Sequence, residues 1–342
     1  MLAAWNNNYI EPIRDTFWRT PSNKITNLEK FSLFHYDRTI YNNSDSISDS
    51  PTVTTPILMV YAFINRHYIL DLLPEISIVK NLLKQGFDIY ATDWGTPSVY
   101  DKDLTIGYFV NNYLDKSVDL IRKRTGCDKI SLFGYCWGGD LVLIYAALHP
   151  EKVKNIITVA APGDFSLDDT LLSTWSKKID VDTVLDAFGN APPILFNSAF
   201  YLRNPIENIN KYPYFFEHPH GLETTSEFFA TEIWLHDSPP VIGEIYREFI
   251  KQGYQQNLLI KNQMNVNGEI VDLKNIDMPF LNITAQNDDL VAPRSSIAIN
   301  NAIGSKDKSV IEFPSGHVGL IISQRAHKEV WPKVGDWLKQ RS

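Results

Sequence analysis

Residues 129–139 read KISLFGYCWGG, and this stretch decides the fold. The apolar run Lys129–Phe133 predicts a strand, and the pattern over residues 138–148 predicts a helix. The residues between them have the form G-x-C-x-G, which is typical of a tight strand-to-helix turn that carries a nucleophile. Glycines suit this turn because a Cβ would clash there. Cys136 is therefore the candidate nucleophile, and the alternative is a buried cysteine in an ordinary glycine-rich turn.

The same alternation of strands and helices extends on both sides of this turn. Further strand patterns lie at Pro56–Ile64, Phe87–Asp93, Ile156–Ala160, Phe280–Thr284 and Ser309–Phe313. Their residues are apolar on both faces, which is typical of a mostly parallel sheet covered by helices. The predicted fold class is α/β, with the strand–turn–helix of an α/β-hydrolase fold at its centre.

The strand–helix rhythm breaks between Asp164 and Asp277, in a stretch rich in aromatic residues and prolines. Long insertions of this kind are usually functional, so we interpret this one as a cap, or lid, over the site. A helical subdomain that only stabilises the core is the alternative. The predicted organisation is a helical or irregular segment at residues 1–55, an α/β core at 56–163 and 278–342, and a cap subdomain at 164–277.

Composition excludes several classes of protein. The 342 residues carry 32 Lys and Arg against 40 Asp and Glu, and the net charge of −8 argues against binding to nucleic acid. No apolar stretch approaches the roughly 18 residues of a membrane span, and no signal-peptide pattern begins the chain, so we expect an intracellular soluble protein. Cys127 and Cys136 are too few for a disulfide scaffold. No ligand cluster accompanies His218 and His220, so no metal site is predicted.

Two later loops supply the acid and the histidine that such a nucleophile needs. Asp288 follows the strand pattern at 280–284, and His317 follows the one at 309–313. They come in the order nucleophile, acid, histidine, and both lie after strand ends, where open α/β sheets place their sites. Asp288, with Val291 three positions later, fits the acid loop better than Asp289, which stays the alternative.

Main-chain N–H groups are the candidates for an oxyanion hole. One belongs to Trp137, directly after the nucleophile, and the other to Ile64, in the loop after the first core strand. Asn65 and Arg66 follow in the same loop. They either contribute to substrate binding or only anchor the loop.

A cysteine at the nucleophile position favours acyl transfer over hydrolysis. A thiolate is the better nucleophile at neutral pH, and the helix that follows Cys136 points its positive end at the sulfur. Exchange between a thioester substrate and an enzyme thiol is nearly neutral in free energy, so the acyl group stays available for transfer. In this scheme His317 takes the thiol proton and Asp288 orients the imidazole.

Several stretches together resemble polyhydroxyalkanoate synthases. They are VYAFINR (60–66), YILDL (68–72), DWG (93–95), GYCWGG (134–139), APGDF (161–165), WLHD (234–237), YREF (246–249), NDDLVAP (287–293) and SGHVG (315–319). The resemblance runs from about residue 55 to 335, and the short chain resembles the catalytic subunit of two-component synthases. Three positions depart from the family pattern: Asp140 stands in place of the familiar threonine, Asp289 in place of histidine, and Ala292 in place of proline.

The resemblance implies an acyltransferase that polymerises (R)-3-hydroxyacyl-CoA, with 3-hydroxybutyryl-CoA as the expected substrate, and releases CoA. Cys136 would hold the growing chain as a thioester and His317 would activate it. Asp288, directly or through His317, would help to deprotonate the 3-hydroxyl of the incoming unit. No metal or redox cofactor is implied. Arg66 and Arg294 are candidate partners for the CoA phosphates.

The resemblance also implies partners and a location. We expect a second, non-catalytic synthase subunit, a homodimer, and a cytoplasmic position at the surface of polyester granules. Two other functions stay open. One is a cysteine-dependent α/β-hydrolase that acts on esters or lactones. The other is a catalytically inactive granule-associated protein, against which the presence of all three catalytic residue types argues.

Overall fold

The computed structural model describes residues 20–28, 30–36, 38, 55–218 and 220–342. The other residues of the predicted segment 1–55 lie outside this described part of the chain. The strands are β1 (Asn23–Leu28), β2 (Phe31–Tyr36), β3 (Ile57–Val60), β4 (Ile89–Asp93), β5 (Ile130–Tyr135), β6 (Val153–Val159), β7 (Met264–Val266), β8 (Glu269–Val271), β9 (Phe280–Ala285) and β10 (Lys308–Phe313).

The central sheet has the strand order β1-β2-β4-β3-β5-β6-β9-β10 within the described residues. From β4 to β10 every pair of neighbours is parallel, whereas β2 runs antiparallel to both β1 and β4. All residues of β3, β5 and β9 are buried, as expected for strands that helices cover on both faces. The predicted α/β fold with a mostly parallel sheet is confirmed.

Helices connect and cover these strands. They are α1 (Ile78–Lys84), α2 (Asp115–Thr125), α3 (Trp137–Leu148), α4 (Leu171–Ser176), α5 (Val181–Phe188), α6 (Pro193–Arg203), α7 (Pro205–Glu217), α8 (Leu222–His236), α9 (Gly243–Glu248), α10 (Pro293–Ala302), α11 (Gly319–Ile322), α12 (Gln324–Glu329) and α13 (Trp331–Lys339). A short helix, Ile106–Tyr108, and a π-helical turn, Phe109–Leu114, lead into α2, and a second π-helical turn, Phe249–Gln255, follows α9. Short 3₁₀ turns lie at His67–Leu70, Val99–Asp101, Pro150–Lys152 and Leu273–Asn275.

The prediction of a helical or irregular segment at residues 1–55 is wrong for β1 and β2. These strands form a hairpin, and β2 extends the sheet by pairing with β4. Phe31, Leu33 and Tyr36 are fully buried, and the ring of Phe31 stacks on Tyr113 at a centroid distance of 4.9 Å. The hairpin therefore covers the β4 edge of the parallel strands, an edge that would otherwise leave main-chain groups unpaired.

The chain between β6 and β9 leaves the sheet and forms the helices α4 to α9. The β7–β8 hairpin that ends this segment turns at Asn267 and Gly268, which have φ values of 52° and 91°. Both angles suit a two-residue hairpin turn. The hairpin contacts α3, so the last part of the predicted cap lies against the core layer.

None of the helices that the structure describes is long and apolar enough to cross a membrane.

Candidate active site

Cys136 lies in the tight turn between β5 and α3. Its φ is 53° and its ψ −130°, a conformation that residues with a side chain rarely adopt. The Cys136 N–H donates to the carbonyl of Val159 at 2.9 Å, and the Cys136 carbonyl accepts from the N–H of Gly139 at 2.7 Å. Strained backbone of this kind persists where the surrounding structure holds it, and it is concentrated at functional sites.

The glycines around Cys136 allow direct backbone packing. A Cβ on Gly138 would lie 2.2 Å from the carbonyl oxygen of Val60 on β3. A Cβ on Gly139 would lie 2.3 Å from the Cβ of Ala161, and one on Gly134 would lie 2.4 Å from the carbonyl oxygen of Gly138. The turn is therefore closed to side chains on three sides. This is the physical reason for the G-x-C-x-G-G pattern.

His317 and Asp288 form a buried pair beside the nucleophile. Nδ1 of His317 lies 2.7 Å from Oδ2 of Asp288, and the Cys136 side chain is hydrogen-bonded to the same imidazole. The other carboxylate oxygen of Asp288 accepts the N–H groups of Leu290 and Val291, each at 2.9 Å. These two main-chain bonds fix the carboxylate, which in turn orients the imidazole toward the sulfur.

The pKa of His317 depends on the charged groups around it. Burial alone lowers the pKa of His317, but the charges of Asp288 and Cys136, and hydrogen bonds to both, raise that pKa to about 10. The imidazole therefore carries a proton at neutral pH. Cys136 is the N-cap residue of α3, so the positive end of the helix and the protonated imidazole both adjoin its side chain.

The structure distinguishes between the two neighbouring aspartates of the acid loop. Asp288 is buried against His317, whereas the side chain of Asp289 is half-exposed and forms an ion pair with Arg203 at the end of α6. Asp289 does not reach the imidazole, so the structure supports the choice of Asp288. The ion pair joins the acid loop to a cap helix.

The two proposed oxyanion donors lie on one cavity. Trp137 is the first residue of α3, so its N–H has no acceptor within the helix. The Ile64 N–H donates to no main-chain carbonyl among the described residues. Both residues line a cavity of about 420 Å³ beneath the cap.

Cap residues form most of the walls of this cavity. Apolar examples are Trp175, Ile179, Leu195, Phe196 and Ile250, and Lys178 adds a cation. The indole of Trp137 stacks on Phe249 at a centroid distance of 4.2 Å, which fixes the wall next to the nucleophile. A mostly apolar pocket of this size beside a few fixed polar groups is typical of a small-molecule site.

The two arginines predicted to meet phosphates already have protein partners. Arg66 donates to the carbonyl of Gly95 at 2.9 Å and pairs with Asp237 at 3.3 Å. Arg294 pairs with Asp169 at 2.5 Å. Arg66 thus anchors its loop, which is one of the two roles left open by the sequence.

Asn65 is also held by protein groups. Its side-chain amide donates to the carbonyls of Trp234 and Leu235 and to the hydroxyl of Ser238. Nothing in this arrangement directs the amide toward the nucleophile. The structure therefore places Asn65 in an anchoring position as well.

Sequence reasoning missed two buried polar residues beside the nucleophile. The ring of Tyr135 lies 5.1 Å from the imidazole of His317, and its hydroxyl has no hydrogen-bond partner among the described residues. Burial raises the pKa of Tyr135 well above its usual value. Asp140, in the first turn of α3, is also buried, and no other described residue donates to its carboxyl group. The one sequence signal for Asp140 was that it stands where the family that the sequence resembles has a threonine.

His218 and His220, which the sequence singled out, contact a carbonyl group and an aromatic ring. No group of three or more His, Cys, Asp or Glu side chains there is arranged to hold a metal ion. Nδ1 of His218 lies 2.7 Å from the carbonyl of Tyr214, and the ring of His220 stacks on Phe215. Cys127 and Cys136 are both free thiols.

Comparisons with known proteins agree with this geometry. A family model described as the alpha/beta hydrolase fold matches residues 55–323. A crystal structure of a soluble variant of monoglyceride lipase from Saccharomyces cerevisiae is similar, with a TM-score of 0.61 and 13% sequence identity. It covers 96% of this chain and 97% of that one. At this identity the likeness shows the fold alone.

Curated relatives share more of the sequence. Poly(3-hydroxyalkanoate) polymerase subunit PhaC from Haloferax mediterranei is 41% identical over 95% of this chain, which spans 65% of that relative's length. The protein of the same name from Allochromatium vinosum is 38% identical over 94% of this chain and 89% of its own length. The chain therefore belongs to the family of poly(3-hydroxyalkanoate) polymerase PhaC subunits, which are acyltransferases with the α/β-hydrolase fold.

Proposed function

We propose that this chain polymerises (R)-3-hydroxyacyl-CoA into polyester through a thioester on Cys136, with release of CoA. The observation that carries the proposal is the buried array in which Asp288 holds His317 against the Cys136 thiol. The names of the relatives support the polymerase activity in general. The array supports the covalent route.

In the first proposed step the Cys136 thiolate attacks the thioester carbonyl of the substrate. The carbonyl oxygen becomes an oxyanion, which the N–H groups of Ile64 and Trp137 would stabilise. When the intermediate collapses, the bond to the CoA sulfur breaks and the imidazolium of His317 gives its proton to the leaving thiolate. The acyl group is then a thioester of Cys136.

In the second proposed step a hydroxyl group attacks this thioester. His317, now neutral, accepts the proton of the 3-hydroxyl of another acyl unit, and Asp288 stabilises the imidazolium that forms. The bond between the acyl carbon and the Cys136 sulfur breaks, which restores the Cys136 thiolate, and the new ester bond lengthens the chain. The scheme uses no metal or redox cofactor.

We propose 3-hydroxybutyryl-CoA as the preferred substrate, with the acyl unit bound in the cavity beside Ile64 and Trp137. The cavity volume of about 420 Å³ leaves room for the acyl unit together with part of the growing chain. Comparing CoA release from acyl units of four, six and eight carbons tests this preference. A faster reaction with the longer units would contradict it.

We also propose the partners that the resemblance implies, which are a second, non-catalytic subunit, a second copy of this chain, and the surface of a polyester granule in the cytoplasm. Large apolar side chains exposed on the cap support a contact surface there. They include Phe188, Ile194, Ile206, Ile209 and Phe216.

The central experiment measures CoA release and polymer formation by the purified chain, with and without a candidate second subunit. We expect CoA release and polymer from the wild type, and neither from Cys136→Ala. Free 3-hydroxybutyrate without polymer would favour the hydrolase alternative. Polymer formation by Cys136→Ala would contradict the covalent route.

A further inference from the structure

We propose that Asn65 is a positioning residue, which holds the main-chain N–H of Ile64 in the oxyanion hole by tying its loop to the cap. The inference rests on the proposed function, because it assigns the Ile64 N–H to the oxyanion. It replaces a substrate-binding role for Asn65 by an indirect one. It also couples the oxyanion hole to the wall of the cavity.

The first observation is the geometry of Asn65 itself. The residue is buried, and its φ of 62° lies in the left-handed region that asparagine tolerates better than most residues. Its Nδ2 lies 3.2 Å from the carbonyl oxygen of Trp234, 3.3 Å from that of Leu235 and 2.9 Å from Oγ of Ser238. One side-chain amide thus joins the loop after β3 to residues 234–238, which we call the cap turn.

The second observation is that the neighbours of Asn65 bind the same cap turn. The indole N–H of Trp234 donates to the carbonyl of Arg66 at 2.8 Å. Asp237 accepts from the guanidinium of Arg66 and from the hydroxyl of Tyr68. The loop and the cap turn therefore each donate hydrogen bonds to the other.

The third observation extends the contact to the cavity. Oγ of Ser238 donates to Oδ1 of Asn197 at 3.1 Å, and Asn197 lies on α6. The residues on either side of it, Phe196 and Ser198, line the cavity. Asn197, Ser238 and Asn65 thus form a continuous chain of hydrogen bonds from the cavity wall to the residue after Ile64.

This chain of hydrogen bonds matters because the loop after β3 has no strand partner at Ile64 among the residues that the structure describes. An oxyanion donor contributes only if its N–H points at the position where negative charge develops. The amide of Asn65 supplies the constraint that the sheet does not. Loss of the amide should therefore reduce acyl transfer without changing the nucleophile.

The test uses Asn65→Gly, which keeps the left-handed backbone but removes the amide. Asn267→Gly is the matched control, because Asn267 has a φ of 52° and is exposed in the β7–β8 turn, away from the site. For each protein we would measure kcat and KM for CoA release, the burst of p-nitrophenol from p-nitrophenyl butyrate, and alkylation of Cys136 by iodoacetamide. Alkylation forms no oxyanion, so it reports the thiolate alone.

We expect Asn65→Gly to lower kcat and the burst rate about 10²-fold, the loss typical of one missing oxyanion donor, while KM and the alkylation rate stay near wild type. Ser238→Ala should cause a smaller loss of the same kind, and Asn267→Gly none. An unchanged burst rate, a parallel loss of alkylation, or a rise in KM alone would overturn the inference.

The burst assay separates this inference from the proposed function. A wild type that gives a burst but releases no CoA from 3-hydroxyacyl-CoA would contradict the proposed function, and Asn65→Gly would still test the positioning role. A wild type that reacts with neither substrate would overturn both.

Discussion

At the scale of single residues, the pKa of His317 is raised first by the negative charge of Asp288 and then by that of Cys136. The order of Cys136, Asp288 and His317 in the sequence was enough to predict this array. The partners of Arg66 and Arg294 were not predictable, because Asp237 and Asp169 reach them only through the folding of the cap.

We predict that His317→Ala changes the pH dependence of Cys136 alkylation. The imidazolium of the wild type keeps its proton up to a pKa of about 10 and lies beside the sulfur, so the wild-type rate of iodoacetamide alkylation should follow a different pH profile from that of the variant. In the variant the rate should rise with pH as for an ordinary thiol, which titrates near about 8.5. Identical profiles in the two proteins would contradict an influence of His317 on the thiol.

Asp140 provides a prediction about stability. Burial raises its pKa well above the usual value, so the folded protein keeps a proton that the unfolded chain releases above about pH 3.9. Stability must therefore fall as pH rises above that value, since the folded state binds more protons than the unfolded one. We expect Asp140→Asn to be more stable than wild type at pH 8, because the amide is neutral at every pH and takes up no proton on folding.

Urea unfolding at about pH 5 and 8 measures this effect, and the gain from Asp140→Asn should be larger at the higher pH. The control is Asp103→Asn, because Asp103 is exposed in the loop before the short helix Ile106–Tyr108. An equal change at both pH values would show that the gain does not come from titration of Asp140.

At the scale of elements, the turn between β5 and α3 depends on the absence of a side chain at Gly138. We predict that Gly138→Ala destabilises the protein by roughly 2–3 kcal/mol and abolishes CoA release, because its Cβ would meet the Val60 carbonyl. Gly126→Ala is the control. Gly126 ends α2 with a φ of 74° and open space around it, so only about 1 kcal/mol of backbone strain is expected.

Thermal unfolding and CoA release of the two variants distinguish a local clash from general glycine loss. Equal destabilisation by Gly138→Ala and Gly126→Ala would contradict the predicted clash with β3.

The parallel core was predictable because its strands are apolar on both faces and are separated by helical patterns. The β1–β2 hairpin was not, although Phe31 and Leu33 lie two positions apart and are both buried. Alternation shows that one face of a strand is buried, but not which strand it joins. The antiparallel pairing with β4 is decided by the free edge of the folded sheet. The cap helices also escaped prediction, since some of their aromatic residues line the cavity, such as Trp175 and Phe196, and others are exposed, such as Phe188 and Phe216.

At the scale of the whole molecule, the cap has two apolar surfaces. One lines the cavity beside the nucleophile, and the other is exposed on α6 and α7. Large exposed patches of apolar side chains usually mark an interaction surface. A second copy of the chain would cover this surface, because a twofold interface brings the same patch of both copies into contact.

We therefore predict that Ile206→Asp with Ile209→Asp weakens self-association. Both isoleucines lie on α7 and are 72% and 57% exposed, so charges there cost little in the monomer but oppose burial in a dimer. Sedimentation at micromolar concentration should show a dimer for wild type and a monomer for the double variant. Ile270→Asp, at an equally exposed site on β8, should remain dimeric. A wild type that sediments as a monomer, or a double variant that stays dimeric, would contradict the prediction that this surface mediates self-association. Because the preceding helix α6 lines the cavity, the rate of CoA release in the double variant then shows whether a second copy also supports the cavity wall.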